Sequence, residues 1–308
     1  MNAANNCKTL EQIVSANKRI DVVMASLGIL VLMVASAMLI GVFVDLLTSG
    51  WPRLISSEFY TNFPSRHPEK AGILSAMTGT SLVMLVTAVV AIPLGVAAGL
   101  YLEEYAPRNW LTDIIEINVS NLAGVPSIIY GLLALGLFVH TFALGETILT
   151  AGLVLALLIL PVIIVSTREA VRGIPRDLRE AAYGLGADKW QAVRMYVLPA
   201  ARPVILTGVI VGLARAIGEA APVITIGALT FIAFLPPSPI QAEAPFINFE
   251  WLSSPFTVMP IQLFNWVSRP QAEFHINAAA TGVVLMAMTL AMNALAIYIR
   301  LRLRRHDR

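Results

Sequence analysis

Glu180-Ala181-Ala182, then Gly186, then Leu198-Pro199, punctuate a charged stretch, residues 167–203, that lies between two long apolar runs. Pro175 stands where a helix would begin, because its fixed φ suits a first turn and its missing N–H costs nothing there. Arg176 and Glu180 then fall four apart on one face and can pair. Ala181, Ala182 and Gly186 leave the helix nearly bare, so a partner's groove can approach its backbone. Leu198-Pro199 is expected to end the segment before the next span. An ordinary amphipathic helix lying on a membrane is the other reading, and the basic residues of the stretch suit it.

The rest of the chain says what this loop interrupts. Hydrophobic residues make up 57% and charged residues 13% of its 308 positions, about half the charge of a typical soluble domain. Apolar runs long enough to cross a bilayer occur at 22–47, 73–100, 119–143, 147–166, 204–232 and 277–299. The expected fold class is therefore an all-α membrane protein of six transmembrane helices. The first run is too long for the apolar part of a cleaved signal peptide and reads as a retained span. Pro126 and Pro161 do not argue against helices there, since neighbouring helices can satisfy the freed backbone groups.

Lys and Arg number three in the N-terminal tail, one in the second loop, seven in the fourth and five in the C-terminal tail. The first, third and fifth loops hold three, none and one. The positive-inside rule then places both termini and the Glu180 loop in the cytoplasm. The tail Arg300, Arg302, Arg304, Arg305 and Arg308 reads as an anchor to anionic membrane lipid, with no nucleic acid as partner.

Of the two long outer loops, 48–71 holds Trp51, Phe59, Tyr60 and Phe63. Loop 233–276 holds seven prolines with Phe246, Phe249, Trp251, Phe256, Phe264, Trp266 and Phe274. An aromatic belt at the headgroups and a docking surface for a soluble partner are both open. Gly95/Gly99 and Gly208/Gly212 allow close helix approach in a bundle or a dimer. Cys7 is the only cysteine, which excludes an intrachain disulfide and a cysteine metal cluster. No phosphate-binding G-x-x-x-x-G-K-[ST] loop occurs, and no hydrolase or metallopeptidase motif. The histidines His67, His140, His275 and His306 are scattered and receive no role, and no cofactor is implied.

Arg215 and Glu219 are the ionisable residues most clearly inside an expected span. Counted from Pro203, Arg215 lies roughly 18 Å along the helix, where a charge costs about 2.5–3.5 kcal/mol and should face a cavity or a partner. Spacing of four puts both groups on one helix face. A self-neutralising pair that only fixes packing is one reading. The other is a guanidinium fork offered to an oxyanion, with Glu219 competing so that the ion is not held too tightly to leave. Gly218 and Pro222 flank the pair and can bend or open the helix.

Several segments resemble one family. Gly79-Thr80, Ile92-Pro93-Leu94-Gly95-Val96, Tyr101-Leu102-Glu103-Glu104-Tyr105-Ala106, Gly124 to Gly131 (GVPSIIYG) and Arg215-Ala216-Ile217-Gly218-Glu219 look like the phosphate-specific ABC transporter permeases. Ala220-Ala221-Pro222, Met259-Pro260-Ile261-Gln262 and Asn293 are similar to their PstA type. The loop spacing at Glu180, Ala181, Ala182, Gly186, Leu198 and Pro199 resembles that by which ABC import permeases present a docking helix to their ATPase. By ordinary residue frequencies, those matches at fixed offsets would arise in on the order of one chain in ten thousand or fewer, which favours docking over a surface helix. Ala220 departs from the usual Thr, and Tyr196 from an Ile.

The resemblance implies a type I ABC importer permease core with a cytoplasmic coupling helix, in a bacterial inner membrane. It implies work with a PstC-type permease, a PstB-type ATPase dimer and a PstS-type phosphate-binding protein, moving phosphate past Arg215 without chemistry on this chain. The expected division is a tail at 1–20, the first helix and outer loop at 21–71, the permease core at 72–299 and a basic tail at 300–308. The core includes coupling loop 167–203 and outer loop 233–276. Import of another oxyanion such as sulfate or molybdate, and an ion-coupled carrier using Glu219 as a proton relay, are the rival functions.

Overall fold

The computed structural model describes the backbone of residues 2–241, 246 and 248–306, and the side chains of 18, 20–241, 246 and 248–302. Cys7, Lys8, Arg19, Arg304, Arg305, His306 and Arg308 lie outside the described side chains. Among the described residues every regular element is a helix. In order they are α1 (Asn2–Leu54), α2 (Ser57–Thr61), α3 (Leu74–Leu100), α4 (Trp110–Leu122), α5 (Ser127–Ala134) and α6 (Ile148–Arg172). Then follow α7 (Arg176–Gly184), α8 (Lys189–Ala192), α9 (Leu198–Gly218), α10 (Ala221–Thr225), α11 (Met259–Val267) and α12 (Ala272–His306). Single π turns follow α3 (Tyr101–Tyr105), α5 (Leu135–Thr141) and α8 (Val193–Val197).

Among the described residues five helical stretches are long and apolar enough to cross a membrane, and the bent pair α4–α5 makes a sixth if counted as one span. This agrees with six spans but corrects two of them. The run 119–143 is not one helix. α4 and α5 meet at 107° across a break, and Pro126, expected to be absorbed, is the N-cap residue of α5. Lacking an N–H, Pro126 cannot bond to the Leu122 carbonyl. That carbonyl instead accepts from Val125 N at 3.2 Å and from the Tyr130 hydroxyl at 2.8 Å. The run 204–232 is likewise interrupted. α9 stops at Gly218, Glu219 is extended, and Pro222 opens the short α10. Pro161, by contrast, sits inside an unbroken α6, as expected.

Helix α6 is the centre of the bundle. On one side Gly95 and Gly99 of α3 face Ile163 and Thr167, and on the other Gly208 and Gly212 of α9 face Ser166, Ile159 and Ile163. A Cβ added at Gly95 would stand 2.6 Å from Ile163 Cγ2, and one at Gly99 would stand 2.7 Å from Thr167 Cβ. The small-residue pairs therefore serve packing within the chain. Ile159, Ile163, Leu158 and Val209 fill the core between the three helices.

A second core lies under the segments expected to be outer loops. Phe59, Ile73, Met259, Trp266 and Phe274 are buried together, joining α2, the start of α3, α11 and α12. Burial of each such side chain contributes about 1.5–3 kcal/mol. Neither alternative read from the sequence describes these aromatics: they form core, while Trp51, Phe246, Phe249 and Phe264 remain exposed.

Candidate functional site

The helix expected after Pro175 is α7, with Pro175 as its N-cap residue and Arg176 as its first position. Gly186 is its stop. It takes φ of +85°, its N–H donates to the Tyr183 carbonyl at 2.9 Å, and Ala187 N–H donates to the Ala182 carbonyl at 3.1 Å. Those two bonds are a Schellman cap, which satisfies carbonyls that the helix end would orphan and favours glycine at the left-handed position. Asp188 and Gln191 then close a capping box at the start of α8.

Three expectations for this loop are corrected. Ala182 is buried and points into the bundle, so the bare surface is Ala181 together with the exposed Gly186. Arg176 and Glu180 form no ion pair; both line an open cleft of about 380 Å³ with Glu103, Glu104, Arg108, Arg179 and Tyr183. Leu198-Pro199 does not end the segment, because the helix runs on from Lys189 to Gly218. The π turn Val193–Val197 ends two residues before Pro199, where a regular turn would set the proline ring against the Met195 carbonyl. Around Glu180 the loop exposes Leu178, Tyr183, Leu185 and Trp190, with Leu185 82% accessible.

Ion pairs hold the loop to the bundle. Arg179 donates from Nε and Nη2 to Glu104 Oε1 at 3.0 and 2.7 Å, and also to the carbonyls of Ile174 and Val171 at 2.8 and 3.0 Å. One side chain thus neutralises a nearly buried carboxylate and caps the C-terminal end of α6. Removing one member of such a pair costs about 3–5 kcal/mol, because the other charge stays buried. Arg168, also buried, stands 2.6 Å from Glu116 and 3.6 Å from Glu103. The sequence reading did not single out these pairs. The available signal was charge at the ends of apolar runs, and it does not reveal which partner each residue finds.

Arg215 and Glu219 do come together, with Nε 3.7 Å from Oε1. The expectation that they share one helix face is corrected, since α9 ends between them. Glu219 reaches back from extended backbone. Arg215 keeps 37% of its side chain accessible and Glu219 22%, so the guanidinium is not fully occupied by its neighbour. Ala216, Ile217 and Glu219 border a small hollow with Thr80, Met84, Leu155, Val223, Val258 and Pro260. Across from α10, Gly131 lies so close to Pro222 and Thr225 that no side chain fits. The second halves of the two interrupted spans therefore pack against each other, and Arg215 stands just before the break in its own span.

Comparison with known proteins agrees with this architecture. The family described as binding-protein-dependent transport system inner membrane component matches residues 91–305. A probable ABC transporter permease protein of Bacillus subtilis, YqgI, is 30% identical over 266 residues, 85% of this chain and 89% of that protein. The phosphate transport system permease protein PstA of Yersinia pestis is 31% identical over 266 residues, 84% of this chain and 82% of that protein. In fold, a chain of a bacterial alginate ABC transporter, solved with its alginate pentasaccharide-bound periplasmic protein, matches at TM-score 0.59 and 13% identity. That match covers 84% of this chain and 87% of that one. With its interrupted spans, its loop between α6 and α9 and a match over most of its length, the chain belongs to the family of binding-protein-dependent transport system inner membrane components, as a permease subunit of an ABC importer.

Proposed function

We propose that this permease forms the membrane path of an ATP-driven inorganic phosphate importer. The observation that carries the reading is Arg215, a guanidinium only partly engaged by Glu219 just before the break in its own span. Its planar fork suits a tetrahedral oxyanion, and the nearby carboxylate keeps binding weak enough for release. The PstA-named relatives favour phosphate among oxyanions.

The partners are a PstC-type permease, two PstB-type ATPase subunits and a PstS-type binding protein, with both termini and the Glu180 loop on the cytoplasmic side. ATP is hydrolysed on the ATPase chains. The exposed Leu178, Tyr183, Leu185 and Trp190 beside Glu180 give the motor an apolar face to hold, with Gly186 fixing where α7 ends within it. ATP-driven closure of the motor draws the loop, the permeases rock outward, phosphate delivered by the binding protein passes Arg215, and hydrolysis returns the core inward.

The test is radiolabelled phosphate uptake in cells with and without this chain, with sulfate and molybdate as cold competitors. Loss of uptake on deletion, with competition by phosphate alone, supports the reading. Unchanged uptake in cells lacking a second phosphate system returns the ion to unknown.

A further inference from the structure

Glu103, Glu104 and Tyr105 follow one another in the π turn that ends α3, and each grips a different part of the chain running from α6 into α8. Glu103 accepts from Arg172 Nε and Nη2 at 3.1 and 3.0 Å. Glu104 accepts the fork of Arg179 on α7. The Tyr105 ring lies 5.0 Å from Nζ of Lys189, the first residue of α8. Consecutive side chains on a helix diverge, in a π turn by somewhat less than the roughly 100° of an α-helix, so three in a row find partners only where a neighbour wraps the helix end. The loop does so here.

The same charges reach the broken span. Arg168 and Arg172 lie between Glu103 on one side and Glu116 of α4 on the other, with Glu116 Oε1 at 2.6 Å from Arg168 and 3.7 Å from Arg172. No residue of α4 is buried. An element without an apolar anchor follows whatever holds its charged groups, and here those groups are the arginines that also hold Glu103. At its far end α4 leads through the break into α5, whose Gly131 abuts α10 just beyond Glu219.

We propose that Glu103, Glu104 and Tyr105 are the joint through which displacement of the Glu180 loop reaches α3 and, by way of Arg168, Arg172 and Glu116, the first half of the broken span. Glu103, Glu104 and Glu116 are then positioning residues for transport. The inference rests on the reading of the Glu180 loop as the ATPase contact. Charge pairs that only supported folding would be needed for assembly and ATP hydrolysis alike, whereas a joint is needed only to turn hydrolysis into movement.

The experiment uses the assembled transporter in liposomes, with Glu103→Gln/Glu104→Gln, with Glu116→Gln alone, and with the charge exchange Glu104→Arg/Arg179→Glu. It reads ATP hydrolysis, phosphate uptake, and the ATP-dependent change in hydrogen exchange over residues 110–122. Expected are hydrolysis within about twofold of the unaltered complex, uptake lower by about tenfold or more, and loss of the exchange response in α4. The charge exchange should recover part of both, limited by the two carbonyls that Arg179 also caps.

Should the double variant fail to assemble, Glu116→Gln, which alters a partly exposed side chain, decides alone. Undiminished uptake and α4 response in Glu116→Gln overturn the proposal. So does an unaltered complex whose α4 ignores ATP. An unaltered complex whose α4 responds to ATP but which takes up no phosphate overturns the phosphate reading and leaves the joint standing.

Discussion

Arg215 Nε stands 3.7 Å from Glu219 Oε1 although the helix carrying Arg215 ends at Gly218. The pair is held across a helix end, so its geometry depends on the backbone break as much as on the two side chains. That is a suitable place for a charge which must release as well as bind.

Arg215→Ala is expected to lower phosphate uptake by roughly ten- to hundred-fold, the worth of a hydrogen bond to a charged group at about 1.5–3 kcal/mol. The amount of assembled complex should not change. Uptake assays alongside purified yield check this, and normal flux in the variant reduces the pair to packing.

Glu180→Lys should leave the permease inserted and folded, because Glu180 is exposed and takes part in none of the ion pairs that hold the loop. ATP-driven uptake should fall by about tenfold or more. Transport at normal rates would mean that the motor docks elsewhere.

Gly186→Ala puts a side chain at φ of +85°, where an L-residue costs about 1–2 kcal/mol. The end of α7 should fray, and less ATPase should co-purify with the permease. No clash is added and the strain is confined to an exposed helix end, so the melting temperature of the whole complex should fall only slightly, and a large drop would contradict the assignment.

Gly208→Ala meets the Ser166 side chain across the α6–α9 seam. Overpacking of this kind costs about 1–3 kcal/mol, to be seen as earlier thermal inactivation of the solubilised complex. Adding Ser166→Gly should return part of the loss, less about 1 kcal/mol for a glycine inside a helix.

Much of this architecture is legible in the sequence, and the exceptions have a common cause. Apolar runs gave the spans because bilayer thickness fixes their length. Gly218 and Pro222 mark where the fifth run can open, and it opens there; the break at Pro126 is not legible, since whether a proline interrupts a membrane helix depends on whether neighbours satisfy the freed carbonyl. At Leu122 the neighbour is Tyr130, eight residues on, and its hydroxyl favours the broken form.

The same limit applies to α11, whose Pro260 and aromatics read as loop although Trp266 is buried against Phe59. In the candidate site, the spacing around Glu180 located the helix and its stop. Which face of α7 lies inward, and that Arg179 pairs with Glu104 while Arg176 does not pair with Glu180, follow from the approach of α3, a tertiary fact.

Gly95 and Gly99 on one flank of α6, and Gly208 and Gly212 on the other, bring α3 and α9 close against α6, with no room for a methyl group at Gly95, Gly99 or Gly208. The chain should therefore come apart from the outside inward. In detergent, α1, whose apolar stretch buries no side chain within the subunit, and the charge-tethered α4 would loosen first, with the α3–α6–α9 sandwich last. A detergent that strips the periphery would leave this middle layer as the last remnant of the folded subunit.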